Sequence, residues 1–188
     1  LPLWDIDEGV KELERAKALG LRGGLFWTSP PADRAHSFFG DHYERLWAAA
    51  SCLQSLTHCI EWTVQWAQER KLFGSTLADQ QWVQFKLAEM KTELESLRAL
   101  TYRACELYVA GQDVTELASM AKLKAGRLNR VIPDGCLQFW GGMGFTLENK
   151  VSRMYRDGRL GSIGGGADEV MLGILAKMMG IAKKPPRA

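Results

Sequence analysis

Three apolar stripes at helical spacing constrain this chain more than any other feature. The longest, Val83, Leu87, Met90, Leu94, Leu97, Thr101, Ala104 and Tyr108, steps by three or four residues and predicts one long amphipathic helix that Gly111 ends. A second stripe, Leu46, Ala49, Leu53, Leu56, Ile60, Val64 and Ala67, predicts a helix from Tyr43 to Gln68 or so. Gly74 and Ser75 separate the two, and Thr76 or Asp79 is placed to open the next helix. The third stripe, Val114, Leu117, Ala118, Ala121, Ala125 and Leu128, follows a capping Asp113, and its alanines permit close approach of a neighbour. Pro133 falls late in that helix and should kink it. A last helix starts at Asp168, in its N-cap or first turn, and buries Val170, Ile174, Leu175 and Met178. No single stripe can bury itself. Four such helices with short joints predict a mainly α fold, an antiparallel four-helix bundle over residues 43–182.

Residues 1–42 have another texture. Asp5 or Asp7 can cap a helix carrying Val10, Leu13, Ala16 and Leu19 and ending at Gly20, and Arg22 to Trp27 reads as a short strand. They predict an N-terminal helix-strand extension, and residues 183–188 predict a frayed tail. Formal net charge is only +2 with both signs interspersed, so neither nucleic acid nor an anionic membrane is an expected partner. No apolar run is long enough to span a bilayer and no targeting signal is visible, which predicts a soluble intracellular chain. Cys52, Cys59, Cys105 and Cys136 form no zinc or redox pair and read as buried thiols in a reducing compartment. His36, His42 and His58 make no ligand pattern, so no metal is expected. The seven tryptophans read as packing residues.

One stretch invites chemistry. Cys136-Leu-Gln-Phe-Trp-Gly-Gly-Met-Gly-Phe145 ends an apolar run in a Gly-Gly pair, where a turn without Cβ atoms leaves amide N–H groups for an anion such as a phosphate. The same residues also read as an ordinary glycine helix stop. By themselves they leave both readings open.

Six segments in one order extend the case: Gln68-Glu-Arg-Lys-Leu-Phe-Gly74, Gln81 with Leu87-Ala-Glu-Met90, Ala118-Ser-Met-Ala-Lys122, Gln138-x-x-Gly-Gly-x-Gly-Phe145, Arg156-Asp157, and Ile163 to Val170. Residues 44–181 resemble the C-terminal domain of acyl-CoA dehydrogenases, and Ile163-Gly-Gly-Gly-Ala-Asp-Glu-Val-Met171 is similar to the citronellyl-CoA dehydrogenase-like branch. Residues 12–23 weakly resemble a piece of an amidohydrolase barrel, without its metal histidines, so a metal hydrolase is not expected. The dehydrogenase resemblance implies FAD as cofactor, an acyl-CoA substrate and an electron-transfer flavoprotein as electron acceptor. It also implies a homo-oligomer, dimer or tetramer, in which FAD lies across a subunit boundary.

The same resemblance assigns Arg70 to the FAD phosphates from the adjacent subunit, and Phe73 and Gln81 to the adenosine end. Gln138, Gly141 and Gly142 are assigned to the pyrophosphate, with the guanidinium from one bundle and the amides from another. Each residue keeps a plainer reading as a surface side chain or turn. Arg156-Asp157 is expected to be a structural ion pair. Gly165 stands where most of the family has its catalytic glutamate, and Ala167 replaces a threonine near the flavin. The isovaleryl and long-chain types place the base instead at the start of the first helix, which here is Glu44. Glu44 equally suits an exposed first turn. Asp168 and Glu169 read as capping residues. The competing function is a non-catalytic helical oligomerisation module of the same descent.

Overall fold

A computed structural model describes residues 41–182, with side chains from Arg45 onward. The helix and strand expected within 1–40, the amidohydrolase-like stretch and the tail after 182 lie outside the described residues. Among the described residues five α-helices carry the fold: α1 (Asp41–Glu69), α2 (Gln81–Val109), α3 (Thr115–Trp140), α4 (Lys150–Gly158) and α5 (Asp168–Met178). Between α1 and α2 sits a two-stranded antiparallel hairpin, β1 (Lys71–Leu72) and β2 (Ser75–Thr76), which no periodicity announced. The Asp79 carboxylate then accepts from the Thr76 amide at 2.7 Å and its hydroxyl at 2.8 Å, folding Leu77–Asp79 into one 3-10 turn before α2 begins.

Cross-contacts set the directions. Arg45 Nη1 donates to Ser119 Oγ at 3.2 Å near the start of α1, and Trp66 stacks on Trp140 near its end, so α1 and α3 run parallel. Arg98 Nη2 reaches Thr57 Oγ1 at 3.0 Å, while Trp82 at the start of α2 meets Phe139 at the end of α3. Helix α2 is therefore antiparallel to both. The stripes meet as expected: Leu53, Leu56 and Ile60 of α1 pack with Met90, Leu94 and Leu97 of α2 and Ala125, Leu128 and Ile132 of α3. A smaller cluster of Leu46, Ala104, Val114 and Ala118 closes one end. Tyr108 departs from its stripe; it lies in the last turn of α2 and is exposed.

Helix α3 runs through Pro133 without interruption. Proline offers no N–H to the carbonyl of Asn129 one turn back. Gly158 of α4 comes close to that carbonyl, where an added Cβ would stand 2.9 Å from the oxygen. Asn149 caps α4 by accepting from the amides of Val151 at 2.8 Å and Ser152 at 3.3 Å. Within α4, Arg156 does not pair with Asp157 as expected; it donates to Ser152 Oγ at 3.0 Å, because residues four apart share a helix face and adjacent ones do not.

Candidate functional site

Six sequence-nominated residues gather at the hairpin end of the bundle. Arg70 leaves α1 with its backbone fixed on both sides, its amide donating to Trp66 O at 2.8 Å and its carbonyl accepting from Leu77 N at 2.7 Å. Its guanidinium carbon lies 5.8 Å from the Trp66 ring centroid, within cation–π range. Trp66 in turn stacks on Trp140 with centroids 4.6 Å apart and planes 7° from parallel. Both indole N–H groups are used, Trp66 Nε1 donating to Phe139 O at 3.0 Å and Trp140 Nε1 to Thr63 Oγ1 at 3.1 Å. This stack joins Arg70 to the residue directly before Gly141. One chain thus carries the guanidinium and the glycine turn together at one end, whereas the resemblance drew them from different bundles.

Phe73 and Gly74 form the hairpin tip with φ of +49° and +85°, the left-handed pair that a two-residue turn between twisted strands requires. Phe73 is fully exposed and is the one non-glycine residue with positive φ among the described residues. Gln81 opens α2 and is exposed, beside Trp82, whose ring meets Phe139 edge-on at 5.1 Å.

Gln138 is exposed in the last turn of α3, and its carbonyl accepts from the amide of Gly141. That amide is therefore not free for an anion, as the Gly-Gly pair had suggested, and Gly141 does serve as a helix stop, with φ +56°. Yet a Cβ at Gly141 or Gly142 would meet nothing within 4 Å, whereas one at Gly144 would press on Leu137 and Trp140 at 3.0 Å. The pair lies bare toward open space, and Gly144 is the packing glycine. Beside the turn runs a groove of about 390 Å³ lined by Trp62, Trp66, Trp140, Met143, Glu148 and Lys150, with Lys150 Nζ 4.8 Å from the Trp62 ring. Sequence reading treated these tryptophans as packing alone. Trp62 and Trp66, four apart on α1, were the available sign of an aromatic face.

Two positions were nominated for the base, Glu44 and Gly165. Glu44 lies in the first turns of α1, with its side chain outside the described residues. Arg45 follows it and is tied to Ser119 on α3. One turn further along α3, Lys122 is 2% exposed, and its Nζ donates to the carbonyls of Gly161 at 2.7 Å and Gly166 at 3.0 Å. Gly165, between them, has φ +62° and no side chain to offer. Asp168 stands in the first turn of α5, as expected, but its side chain does not cap the helix. Its Oδ2 accepts from Arg130 Nη2 at 2.9 Å, and its buried Oδ1 has no hydrogen-bond partner. Glu169 is exposed in the first turn of α5.

Two of the buried thiols, Cys52 and Cys59, are held protonated, while the hydrogen bond from Cys59 shifts Cys136 the other way. Burial pushes the Cys52 thiol up to about 12, with the nearby Lys122 charge acting the other way, and a hydrogen bond to Cys136 together with burial holds Cys59 protonated. Among the described residues no group of three His, Cys, Asp or Glu side chains could hold a metal ion, and no helix is long and apolar enough to cross a membrane.

Comparison with known proteins decides the family. The family model "Acyl-CoA dehydrogenase, C-terminal domain" matches residues 40–180. The chain belongs to the acyl-CoA dehydrogenase family. It is 37% identical over 133 residues to the mitochondrial short/branched chain specific acyl-CoA dehydrogenase of Bos taurus, covering 71% of this chain and 31% of that protein. Among solved structures, acyl-CoA dehydrogenase from Geobacillus kaustophilus superimposes with a TM-score of 0.72 at 31% identity, covering 74% of this chain and 37% of that one. Butyryl-CoA dehydrogenase from Megasphaera elsdenii gives a TM-score of 0.72 at 29% identity, covering 74% and 36%. The chain therefore spans about a third of the length of these relatives. The fold is that of the family's C-terminal domain, a mainly α-helical bundle.

Proposed function

We propose that this chain is the helical C-terminal module of an FAD-dependent acyl-CoA dehydrogenase, with residues 43–182 as the bundle, 1–42 as an extension and 183–188 as a tail. The observation that carries this reading is the convergence of Arg70, Phe73, Gln81, Gln138, Gly141 and Gly142 on one end of the bundle. Their chemistry fits the diphosphate and adenosine of FAD: a forked cation braced by an indole, an exposed aromatic ring, two exposed side-chain amides and a bare backbone turn. The backbone of Gly142 and the Arg70 fork supply what the occupied amide of Gly141 does not.

FAD, if held there, would supply a hydride acceptor for the α,β-oxidation of an acyl-CoA thioester. In this chain Glu44 takes the α-proton, since Gly165 bears no carboxylate. Arg45, next to Glu44, and Arg70 are separated by twenty-five helical steps, roughly 37 Å along α1. One dinucleotide does not reach both ends, so the two ends serve two cofactors in a homodimer or tetramer. The Ile163 to Met171 wording supports the citronellyl-CoA dehydrogenase-like branch. Caffeyl-CoA reductase-Etf complex subunit CarC of Acetobacterium woodii, 35% identical over 135 residues, supports an electron-transfer flavoprotein as acceptor. Four free cysteines and mitochondrial relatives support a reducing compartment, the cytoplasm or the mitochondrial matrix.

The second reading, a non-catalytic oligomerisation module, is favoured by the glycine at position 165 and by Val170, Leu172, Met178 and Met179 left exposed on and just after α5. An FAD titration of the purified chain, run with its mass by light scattering, separates the two. Saturable FAD uptake by an oligomer is expected; a colourless oligomer that takes up no FAD leaves the second reading.

A further inference from the structure

The glycine-rich loop between α4 and α5 is held from beneath by a buried charge. Removing an ammonium from water is costly unless it is fully paired, and an apolar side chain of similar volume fills such a site without that cost. Lys122 donates to two carbonyls of one loop, Gly161 O and Gly166 O. It is the first of three residues on one face of α3, four apart, that grip this segment. At Gly126 the missing Cβ admits Asp168 Oδ1 and Gly161 O, which a methyl would meet at 2.7 and 3.0 Å, and its carbonyl accepts from Ser162 Oγ at 2.8 Å. Arg130 then holds Asp168, the first residue of α5. Within the span that Lys122 closes, Gly165 and Gly166 have φ of +62° and +100°, a conformation that nothing in their own side chains selects.

We propose that Lys122 is a positioning residue: its ammonium closes loop 161–166 into one conformation and thereby sets where Gly165, the family's usual base position, faces the reacting centre. The clamp rests on the geometry alone; its catalytic meaning rests on the flavin reading above. Charge, not bulk, is the operative property.

Amide hydrogen exchange, read by peptide mass spectrometry on the 188-residue chain, tests the clamp with Lys122→Met and Lys122→Arg. In Lys122→Met the peptide 159–167 exchanges at least about tenfold faster, while the 71–80 hairpin at the far end stays within about twofold of the parent. Unchanged exchange in 159–167 overturns the proposal, and so does equal acceleration of both peptides, which is general destabilisation. Should Lys122→Met fail to fold, Lys122→Arg decides: a folded chain with a protected loop supports a charge clamp, and an unfolded chain or an unprotected loop overturns it. These measurements need no flavin, so a parent chain that takes up no FAD removes the flavin reading and leaves the clamp to the exchange data. Where the parent binds FAD, Lys122→Met shifts the visible band of the bound flavin while ADP affinity stays within about twofold; an unshifted band overturns the positioning role.

Discussion

At the tip of the β1–β2 hairpin, Phe73 holds a left-handed backbone with its entire side chain in solvent. For a residue with a Cβ this conformation costs about 1 kcal/mol, and no burial offsets it. Such uncompensated strain points to a task outside the chain's own packing. Phe73→Asn is therefore expected to raise stability in urea by about 0.5 kcal/mol, since asparagine tolerates φ above zero, and to weaken FAD binding in the same titration. Cys52 makes a different kind of prediction. Its thiol ordinarily titrates near 9.0 and is pushed up to about 12 by burial, so above pH 9 the unfolded chain loses a proton that the folded chain keeps. Stability due to this group is complete below pH 9 and is lost as pH rises toward 12, by about 1.4 kcal/mol at pH 10. Denaturant melts at pH 7 and 10 measure the loss, and Cys52→Ala should make the decline shallower.

Two helices carry glycines of opposite meaning. Gly126 in α3 is crowded by Asp168 Oδ1, Gly161 O and Ser162 Oγ, so Gly126→Ala forces the α5 start and the loop apart. A loss of about 2 kcal/mol is expected in chemical denaturation. A Cβ added at Gly173 in α5 would meet nothing within 4 Å, and Gly173→Ala is expected to gain about 0.5 kcal/mol by restricting the unfolded chain. A neutral Gly126→Ala result would mean that α3 and the loop separate easily, which would remove the close approach on which the loop's placement depends. Pro133 belongs to the same crossing. The carbonyl it leaves without a helical donor lies against Gly158, so the proline occurs where α3 meets a neighbouring backbone and not where the helix ends.

Among the described residues, one end of the bundle gathers tryptophans, Arg70 and a glycine turn, and Lys122 of α3 meets the glycine loop away from it. The activity follows from assembly on this reading, and FAD uptake and oligomer mass are expected to rise together over a dilution series. Glu44→Gln is expected to retain FAD and lose reduction of the flavin by acyl-CoA, read as bleaching of the visible band. Unchanged bleaching would remove Glu44 as the base. The exposed Val170, Leu172 and Met178 along α5 are part of the apolar surface such an assembly has available to cover.

The three long stripes made the bundle legible in advance, because an amphipathic helix writes its buried face into the chain every three or four residues: Leu53, Leu94 and Leu128 fell where the periodicity placed them, whereas the short last helix leaves Val170 and Met178 exposed and buries Met171 instead. The helix stop at Gly141 was likewise readable, being local backbone chemistry. The hairpin at Lys71–Thr76 was not, since two-residue strands have no period to detect. Nor did local sequence disclose that Trp66 and Trp140 stack, that Asp168 turns to Arg130 instead of capping, or that Lys122 lies buried beneath a glycine loop. Those depend on residues between 38 and 74 positions apart being brought into contact, and only the packing of one helix on another supplies that information.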